Sequence, residues 1–310
     1  MSPKSPSKKS PSSGRAEPNE AGTGSKPARE LAGLYIVATP IGNLADVSLR
    51  AVTLLQEVDR VACEDTRVTR KLLAAHGIPR PLVAYHEHNA ESMRPRLIEA
   101  MKHGDSVALV SDAGTPLVSD PGFKLVQAAI EAGLPVTALP GASAALAGLV
   151  VSGLPSDRFF FAGFLPPRRA ARRKDLAALA GVPATLIFYE SGPRLAASLS
   201  DMAEVLGPRQ AAVARELTKL FEQVRRGDLT ALARQYHDEG PPKGEIVVVV
   251  APPGAAALAT EEELDARLTQ VLETASLRDA VAQVAAELGL PKRRVYTRAL
   301  ALSQRDGGTS

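Results

Sequence analysis

The sequence has one cysteine, no tryptophan and no long hydrophobic run. Cys63 alone cannot form an internal disulfide or a metal site of several cysteines, which fits a protein of the reducing cytoplasm. The most apolar stretch, residues 141–155, is shorter than the ~20 residues that a membrane-spanning helix needs. Residues 1–30 contain no apolar segment of the signal-peptide type. These absences predict a cytoplasmic protein that does not span a membrane.

Two nucleotide-binding motifs are also absent. Gly-x-Gly-x-x-Gly does not follow the first predicted strand, and Gly-x-x-x-x-Gly-Lys-Ser/Thr occurs nowhere. This argues against hydride transfer on a Rossmann domain and against nucleotide hydrolysis. Among the five histidines only His86 and His88 lie close together, and no metal-ligand spacing accompanies them, so no metal site is predicted.

Composition divides the 310 residues into four parts, with 45% hydrophobic residues in all. We expect a disordered basic tail at residues 1–30, α/β domains at 31–154 and 155–252, and a linker with a helical module at 253–310. The net charge of +3 permits an anionic partner without requiring one. Weak RNA affinity is the alternative to a tail that is only solvated.

Apolar runs alternate with amphipathic segments in the first domain, which predicts a mostly parallel sheet with helices on both faces. The predicted strands are residues 34–38, 60–63, 82–84, 107–110 and 136–139. The predicted helices follow Ser48, span 66–76, 90–102 and 118–132, and begin again at Ser143.

The second domain has the same α/β character, with strands predicted at 159–161, 185–189, 211–215 and 245–250 and helices at 170–180 and 193–206. A cleft between the two domains is the expected binding site. In the module, residues 277–288 and 292–302 predict a helix-turn-helix, with Lys292, Arg293, Arg294 and Arg298 on its second helix. A helical hairpin with an exposed basic face is the alternative.

The loop from Ser111 to Gly122 is the strongest candidate for chemistry. It directly follows a buried apolar strand, which is where open α/β sheets bind ligands. Its glycines allow close backbone approach, and Asp112 and Asp120 offer acceptors for amines and hydroxyls. The loop is therefore predicted to hold a polar ligand.

Three other loops follow strands of the same predicted sheet, at residues 39–46, 64–67 and 140–144. Because the carboxyl ends of parallel strands share one edge, we expect all four loops to converge on one crevice. Ordinary turn and capping chemistry is the alternative for any one of them, with Asp65 or Thr66 capping a helix and Gly141 easing a turn.

Six ordered motifs give the chain a close resemblance to the small-subunit ribosomal RNA methyltransferase I family of the tetrapyrrole methylase superfamily. The motifs lie at residues 35–46, 64–67, 111–122, 188–191, 214–219 and 243–245. The resemblance implies two α/β domains with a cofactor cleft, commonly in a homodimer. It implies methyl transfer from S-adenosyl-L-methionine to the ribose 2′-hydroxyl of a decoding-centre cytidine, cytidine 1402 of 16S rRNA in the 30S subunit.

The resemblance also implies which residues hold the cofactor. From the first domain these are Asp112, Ala113, Gly114, Thr115, Pro116, Ser143 and Ala144, and from the second they are backbone groups near Phe188, Tyr189, Ala214 and Gly244. Carboxylate and carbonyl acceptors suit a sulfonium, and backbone donors suit a carboxylate. The family motif Tyr-Glu-Ser-x-His-Arg is altered here, because Pro193 replaces the histidine.

Four residues are candidates for removing the hydroxyl proton: Glu64, Asp65, Glu216 and Lys219. Glu64 and Asp65 come first because they end a strand beside Arg67, a suitable phosphate partner. Lys219 would require a pKa lowered by burial. The alternatives are an Asp65–Arg67 salt bridge that only orders the loop and an internal ion network of Arg215, Glu216 and Lys219.

RNA phosphate contacts are predicted for Arg67 and for a dense run that begins the first helix of the second domain. That run comprises Arg168, Arg169, Arg172, Arg173 and Lys174. A solvated helix face is the alternative. Two other functions stay open: a tetrapyrrole methyltransferase with the same fold and cofactor, and a non-catalytic RNA-binding adaptor.

Overall fold

The computed structural model describes residues 31–118, 122–253, 261–288, 290 and 292–306. The predicted tail at residues 1–30 and the linker at 254–260 lie outside the described residues, as do Asp120 in the first loop and Gly289 and Pro291 in the predicted turn. The division of the chain into four parts remains a prediction.

The first sheet is entirely parallel, as predicted, with the order β3-β2-β4-β1-β5. Its central strands β1 and β4 are buried on both faces, and the apolar side chains of the sheet form two separate clusters. The strands are β1 (Gly33–Val37), β2 (Arg60–Cys63), β3 (Leu82–Ala84), β4 (Ser106–Val110) and β5 (Val136–Leu139). The helices are α1 (Leu49–Glu57), α2 (Thr66–Ala75), α3 (Ala90–Lys102) and α4 (Phe123–Glu131).

The predicted start of α4 at Val118 is wrong. Leu117 has a φ of +71°, outside the right-handed helical region, and α4 begins only after Gly122, whose φ is +135°. A β-carbon at Gly122 would lie 2.7 Å from Cδ2 of Leu109, so the chain can pass this close to β4 only at a glycine. The loop after β4 is therefore longer than the apolar pattern indicated.

Helix α5 (Ala144–Ser152) follows Ser143 as predicted, and the Ser143 side chain caps it. It packs against the second sheet, where Ala145 and Leu149 join Ile187 and Val247 in one apolar cluster. Gly148 allows this close contact, because a β-carbon there would lie 2.7 Å from Cγ1 of Val247. The last helix of the first predicted domain thus joins the two sheets.

The second sheet is mixed, with the order β6-β7-β10-β8-β9, and only β6 and β7 are parallel. Its strands are β6 (Phe159–Phe164), β7 (Thr185–Ser191), β8 (Gln210–Arg215), β9 (Gln223–Asp228) and β10 (Glu245–Val250), and its helices are α6 (Arg169–Leu179), α7 (Gly192–Leu206) and α8 (Leu229–Glu239). Strand β9 and helix α8 were not predicted from the sequence. Strand β9 is a polar edge strand without alternating apolar residues, so hydrophobic periodicity gives no signal for it.

The C-terminal module has three helices among its described residues, α9 (Glu261–Leu272), α10 (Leu277–Glu287) and α11 (Lys292–Asp306). The last two confirm the predicted pair, whereas α9 was missed. The module has its own apolar core, which includes Leu268, Val284 and Val295. Across the described part of the chain, every helix is too short or too polar to cross a bilayer.

Candidate cofactor and catalytic site

The four loops predicted to converge do meet at the carboxyl edge of the first sheet. Thr39 and Gly114 exchange backbone hydrogen bonds of 2.9 and 3.0 Å. The backbone N–H of Asp65 donates to Oδ1 of Asp112 at 3.1 Å, and the hydroxyl of Thr115 donates to the carbonyl of Ala142 at 3.1 Å. The loop after β4 therefore contacts the loops after β1, β2 and β5.

A cavity of about 420 Å³ lies where this edge faces the second sheet. The first sheet and α5 supply the residues Ile41, Asp112, Ala113, Gly114, Thr115, Val118, Ser143 and Ala144. The second sheet and its loops supply Phe164, Tyr189, Glu190, Ser191, Leu217, Gly244, Glu245, Ile246 and Val247. Its volume falls in the range of sites for small molecules and cofactors, and it mixes an apolar lining with a few polar groups.

Most of the residues predicted to hold a cofactor line this cavity. They are Asp112, Ala113, Gly114, Thr115, Ser143, Ala144, Tyr189 and Gly244. Phe188 and Ala214 are fully buried in the two cores beside it, and Pro116 is buried in the loop after β4. For these three, only backbone groups remain as candidates for ligand contact.

Glu190 is a cavity residue that the sequence analysis did not name. Glu190 is 3% exposed, and its carboxylate accepts hydrogen bonds from the Ser198 hydroxyl and, at 2.8 Å, from the Ser191 N–H. Nε of Arg194 lies 3.3 Å from the same carboxylate. The sequence signal was its place in the quoted Tyr189–Ser191 motif, at the end of β7.

Pro193, which stands where the family motif has histidine, lies in the first turn of α7. Proline is well tolerated there because the first helical N–H groups have no partner within the helix. The preceding Gly192 faces the carbonyl of Pro242, which a β-carbon would approach to 1.7 Å. Gly192 and Pro193 therefore shape the start of this helix.

The turn after β8 reaches across to the first sheet. The N–H of Asn43 donates to Oγ1 of Thr218 at 3.2 Å. Gly42 faces Lys219 so closely that a β-carbon would lie 2.4 Å from Cγ of the lysine. Glu216 and Thr218 both have positive φ, 53° and 65°, which costs free energy and is common at functional sites.

Lys219 lies between two carboxylates at the rim of the cavity. Its Nζ is 2.8 Å from Oε1 of Glu216 and 3.0 Å from Oε2 of Glu245. Burial lowers the pKa of Lys219, but the hydrogen bonds with the two glutamates outweigh it, and the net pKa is raised. The condition set for Lys219 as a base, a lowered pKa, is therefore not met.

Glu216 is also a poor proton acceptor. The hydrogen bonds from Lys219 and from the Glu245 N–H lower its pKa because they stabilise the ionised carboxylate. Glu216 and Lys219 therefore form an internal ion pair, which was the alternative interpretation of this segment. The predicted third member, Arg215, instead donates to the carbonyl of Lys243 at 3.0 Å.

Asp65 caps α2 and binds Arg67, as the alternative interpretation of this motif proposed. Its carboxylate accepts from the Arg67 N–H at 2.8 Å and lies 2.7 Å from the Arg67 guanidinium. The hydrogen bonds from Arg67 lower the pKa of Asp65 to about 2. Glu64, the residue before it, is exposed.

In the basic run of α6, one predicted phosphate contact, that of Arg172, is corrected by the structure. Arg172 is 5% exposed, and its guanidinium lies 2.6 Å from Oδ2 of the buried Asp201. Arg169 and Arg173 bind Asp201 and Glu204. Arg172 cannot reach a phosphate, because it is buried in an ion pair with Asp201 that connects α6 to α7.

The chain matches two family models along most of its length. Residues 33–233 match the tetrapyrrole (corrin/porphyrin) methylases, and residues 256–303 match the RsmI C-terminal HTH domain. The ribosomal RNA small subunit methyltransferase I of Mesorhizobium japonicum is 54% identical over 91% of this chain and 96% of the relative. Those of Pseudomonas aeruginosa and Bacillus subtilis are 46% and 43% identical, over 88% and 85% of this chain and 98% and 92% of the relatives.

Solved structures of similar fold have much lower sequence identity. The cobalt precorrin-4 methyltransferase CbiF gives a TM-score of 0.54 at 17% identity, over 74% of this chain and 98% of that one. Diphthine synthase gives a TM-score of 0.54 at 19% identity, over 70% of this chain and 89% of that one. Uroporphyrin-III C-methyltransferase from Thermus thermophilus, complexed with S-adenosyl homocysteine, gives a TM-score of 0.51 at 22% identity. The match covers 71% of this chain and 97% of that one. These likenesses show the fold alone.

Proposed function

Because this chain belongs to the tetrapyrrole methylase family, and within it to the ribosomal RNA small subunit methyltransferase I enzymes, we propose that it methylates 16S rRNA. The proposed reaction transfers a methyl group from S-adenosyl-L-methionine to the ribose 2′-hydroxyl of cytidine 1402 on the 30S subunit. The main structural support is a cavity to which both sheets contribute carboxylates, backbone groups and apolar side chains.

The lining of the cavity suits S-adenosyl-L-methionine. The carboxylate of Asp112 can face a cationic part of the molecule. Ile246, Val247 and Leu217 offer an apolar surface for a purine. Gly114, with a φ of +82°, lets the backbone turn where a β-carbon would lie 3.3 Å from Ile41.

When bound, the cofactor supplies a methyl group on a sulfonium, which a hydroxyl oxygen can attack. The protein has to bind and orient the two reactants, and good alignment accounts for about 7 to 11 kcal/mol in favourable cases. Asp112 is oriented from outside its own loop by the Asp65 N–H. The turn at Leu217 and Thr218 closes the opposite side of the cavity and contacts Asn43.

Among the four predicted proton acceptors, we retain Glu64 because of its position beside the contact between Asp65 and Asp112. Asp65 and Glu216 have lowered pKa values and Lys219 a raised one, each through ion pairs within the protein. Glu64 is exposed at the end of β2, one residue from the Asp65 N–H that binds Asp112. Because alignment supplies much of the rate, a weak base at this position is sufficient.

The test is labelled methyl transfer by the full-length protein, with 30S subunits and uroporphyrinogen III as competing acceptors. We expect label in 16S rRNA at one cytidine, and the phosphodiester bond on the 3′ side of its ribose should become resistant to alkaline cleavage. Label in the tetrapyrrole alone would favour the tetrapyrrole methyltransferase. Calorimetry showing no binding of S-adenosyl-L-methionine would favour the RNA-binding adaptor.

We also propose that the protein acts in the cytoplasm as a homodimer. Large apolar side chains exposed on the described surface support a second copy, notably Leu220 at 90%, Leu49 at 87% and Val150 at 78% exposure. Sedimentation of the full chain tests this, and a monomer at all concentrations would contradict it.

A further inference from the structure

Helix α2 carries a strongly basic exposed face. Arg67, Arg70 and Lys71 lie three and four residues apart and are all exposed, on the side opposite the buried Leu72 and Leu73. We call these three residues the α2 basic face. No acidic residue occurs within Thr66–Ala75. The three cations span about 6 Å along the helix axis.

This charge is largely uncompensated within the protein. Among the described residues, Arg70 and Lys71 form no ion pair, and Arg67 binds only Asp65 while its side chain stays 83% exposed. The basic run of α6 differs, because Arg169, Arg172 and Arg173 are held by Asp201 or Glu204 and only Arg168 and Lys174 are exposed without an ion pair among the described residues. Most of the cations of α6 are thus neutralised within the protein, whereas Arg70 and Lys71 of α2 are not.

The α2 basic face also lies beside the cavity. Helix α2 begins directly after β2, at the carboxyl edge of the sheet, and Asp65 is its N-cap. The N–H of this same Asp65 binds the cavity residue Asp112 at 3.1 Å. A polyanion bound along α2 would therefore pass the mouth of the cavity.

Because it is largely unpaired and lies beside the cavity, we propose that the α2 basic face, and not α6, binds the phosphate backbone of the RNA segment that presents the target ribose. This inference rests on the proposed function. Exposed, unpaired cations are the groups that gain most from phosphate, because they lose no internal partner on binding. Arg67 adds a planar guanidinium that can bind phosphate through two N–H groups. Contacts of this kind would orient the RNA without reading its sequence.

A pair of charge-matched variants tests the proposal in the full-length protein. Arg70→Gln/Lys71→Gln removes two positive charges from α2. Arg168→Gln/Lys174→Gln removes two exposed positive charges from the region of α6 and is the control. Glutamine keeps good helix propensity, and none of the four side chains is buried. Binding of protein-free 16S rRNA and of 30S subunits is measured over a range of salt concentrations.

The α2 variant is expected to bind both RNAs about tenfold more weakly, with the slope of log K against log salt reduced by about 2, since each lost phosphate contact reduces it by about 1. The control should bind like the parent protein. An unchanged α2 variant, or a control weakened as much, would overturn the proposal. Weaker binding to 30S subunits but not to protein-free rRNA would also overturn it, in favour of an acidic protein contact.

The methylation assay separates this inference from the proposed function. If the parent protein binds RNA through α2 but transfers no methyl group, the proposed function fails while the α2 basic face stands. Calorimetry with S-adenosyl-L-methionine should give equal affinity for the parent and both variants.

Discussion

The backbone N–H of Asp65 donates a 3.1 Å hydrogen bond to Oδ1 of Asp112, so the end of β2 orients a carboxylate that follows β4. The Asp65 side chain is engaged elsewhere, with Arg67. The carboxylates of Asp65 and Asp112 thus have separate roles. Asp112 lines the cavity, whereas Asp65 starts α2 and orders the loop.

Asp112→Ala should weaken binding of S-adenosyl-L-methionine by about 2 kcal/mol, roughly 30-fold, because a charge-assisted hydrogen bond to the ligand is lost. The melting temperature should fall by only a few degrees, since the internal hydrogen bond that is lost, from the Asp65 N–H, joins two partly exposed loops. Calorimetry and thermal unfolding measure the two effects. The control is Asp105→Ala at the opposite end of β4, where the carboxylate pairs with Arg60 on the surface. Equal losses of affinity in the two variants would refute the placement of Asp112.

Lys219→Met should reduce methyl transfer at least about tenfold, because Glu216 and Glu245 would then face each other without a cation. Since the pKa of Lys219 is raised, the lysine stays protonated at neutral pH and its titration should not shape the pH–rate profile. The profile should therefore keep its form in the variant at a lower rate. Loss of an ionisation between pH 6 and 9 would instead identify Lys219 as a base.

Asp201→Asn should destabilise the protein by about 3 kcal/mol at pH 7, because it leaves the buried Arg172 without its counter-ion. Burial raises the pKa of Asp201, but the hydrogen bonds from Arg169 and Arg172 lower it more, so the folded pKa lies below the ordinary 3.8. The pair therefore stabilises the protein above about pH 4, and this is lost as the pH falls through the folded pKa.

Urea unfolding between pH 3 and 7 measures this effect, with a weaker pH dependence expected in the variant. Glu204→Gln is the matched control on the same network, because Glu204 is 45% exposed. It should cost less than about 1 kcal/mol. Equal stability of Asp201→Asn and the parent at pH 7 would contradict the role of the buried pair.

Gly192→Ala should destabilise the protein by about 1 to 3 kcal/mol, although alanine favours helices, because the added β-carbon would lie 1.7 Å from the Pro242 carbonyl oxygen. Gly181→Ala is the control, since nothing lies within 4 Å of a β-carbon there. Thermal unfolding compares the two. A Gly192→Ala protein as stable as the control would show that the Pro242 segment can move away freely.

Local pattern alone predicted most of the fold. The parallel first sheet follows from short apolar strands such as Val107–Val110 alternating with amphipathic helices, and strand ends of such a sheet share one edge. The convergence of loops on Asp112 was predictable for that reason. Where local pattern was weak, as in the polar edge strand β9, or where a glycine delayed a helix, as at Gly122, the prediction failed.

The sequence by itself determined most of the strands and helices, the motifs that mark the family and most of the loops that form the cavity, because periodicity and turn chemistry act between near neighbours. Only the tertiary structure decided which charges are available. Arg172 and Arg70 look alike in the sequence, yet Asp201, 29 residues from Arg172, neutralises the first, and nothing among the described residues pairs with the second. A pair of near neighbours such as Asp65 and Arg67 can be anticipated from the sequence, but a pair 29 residues apart depends on which side chains folding brings within a few ångströms.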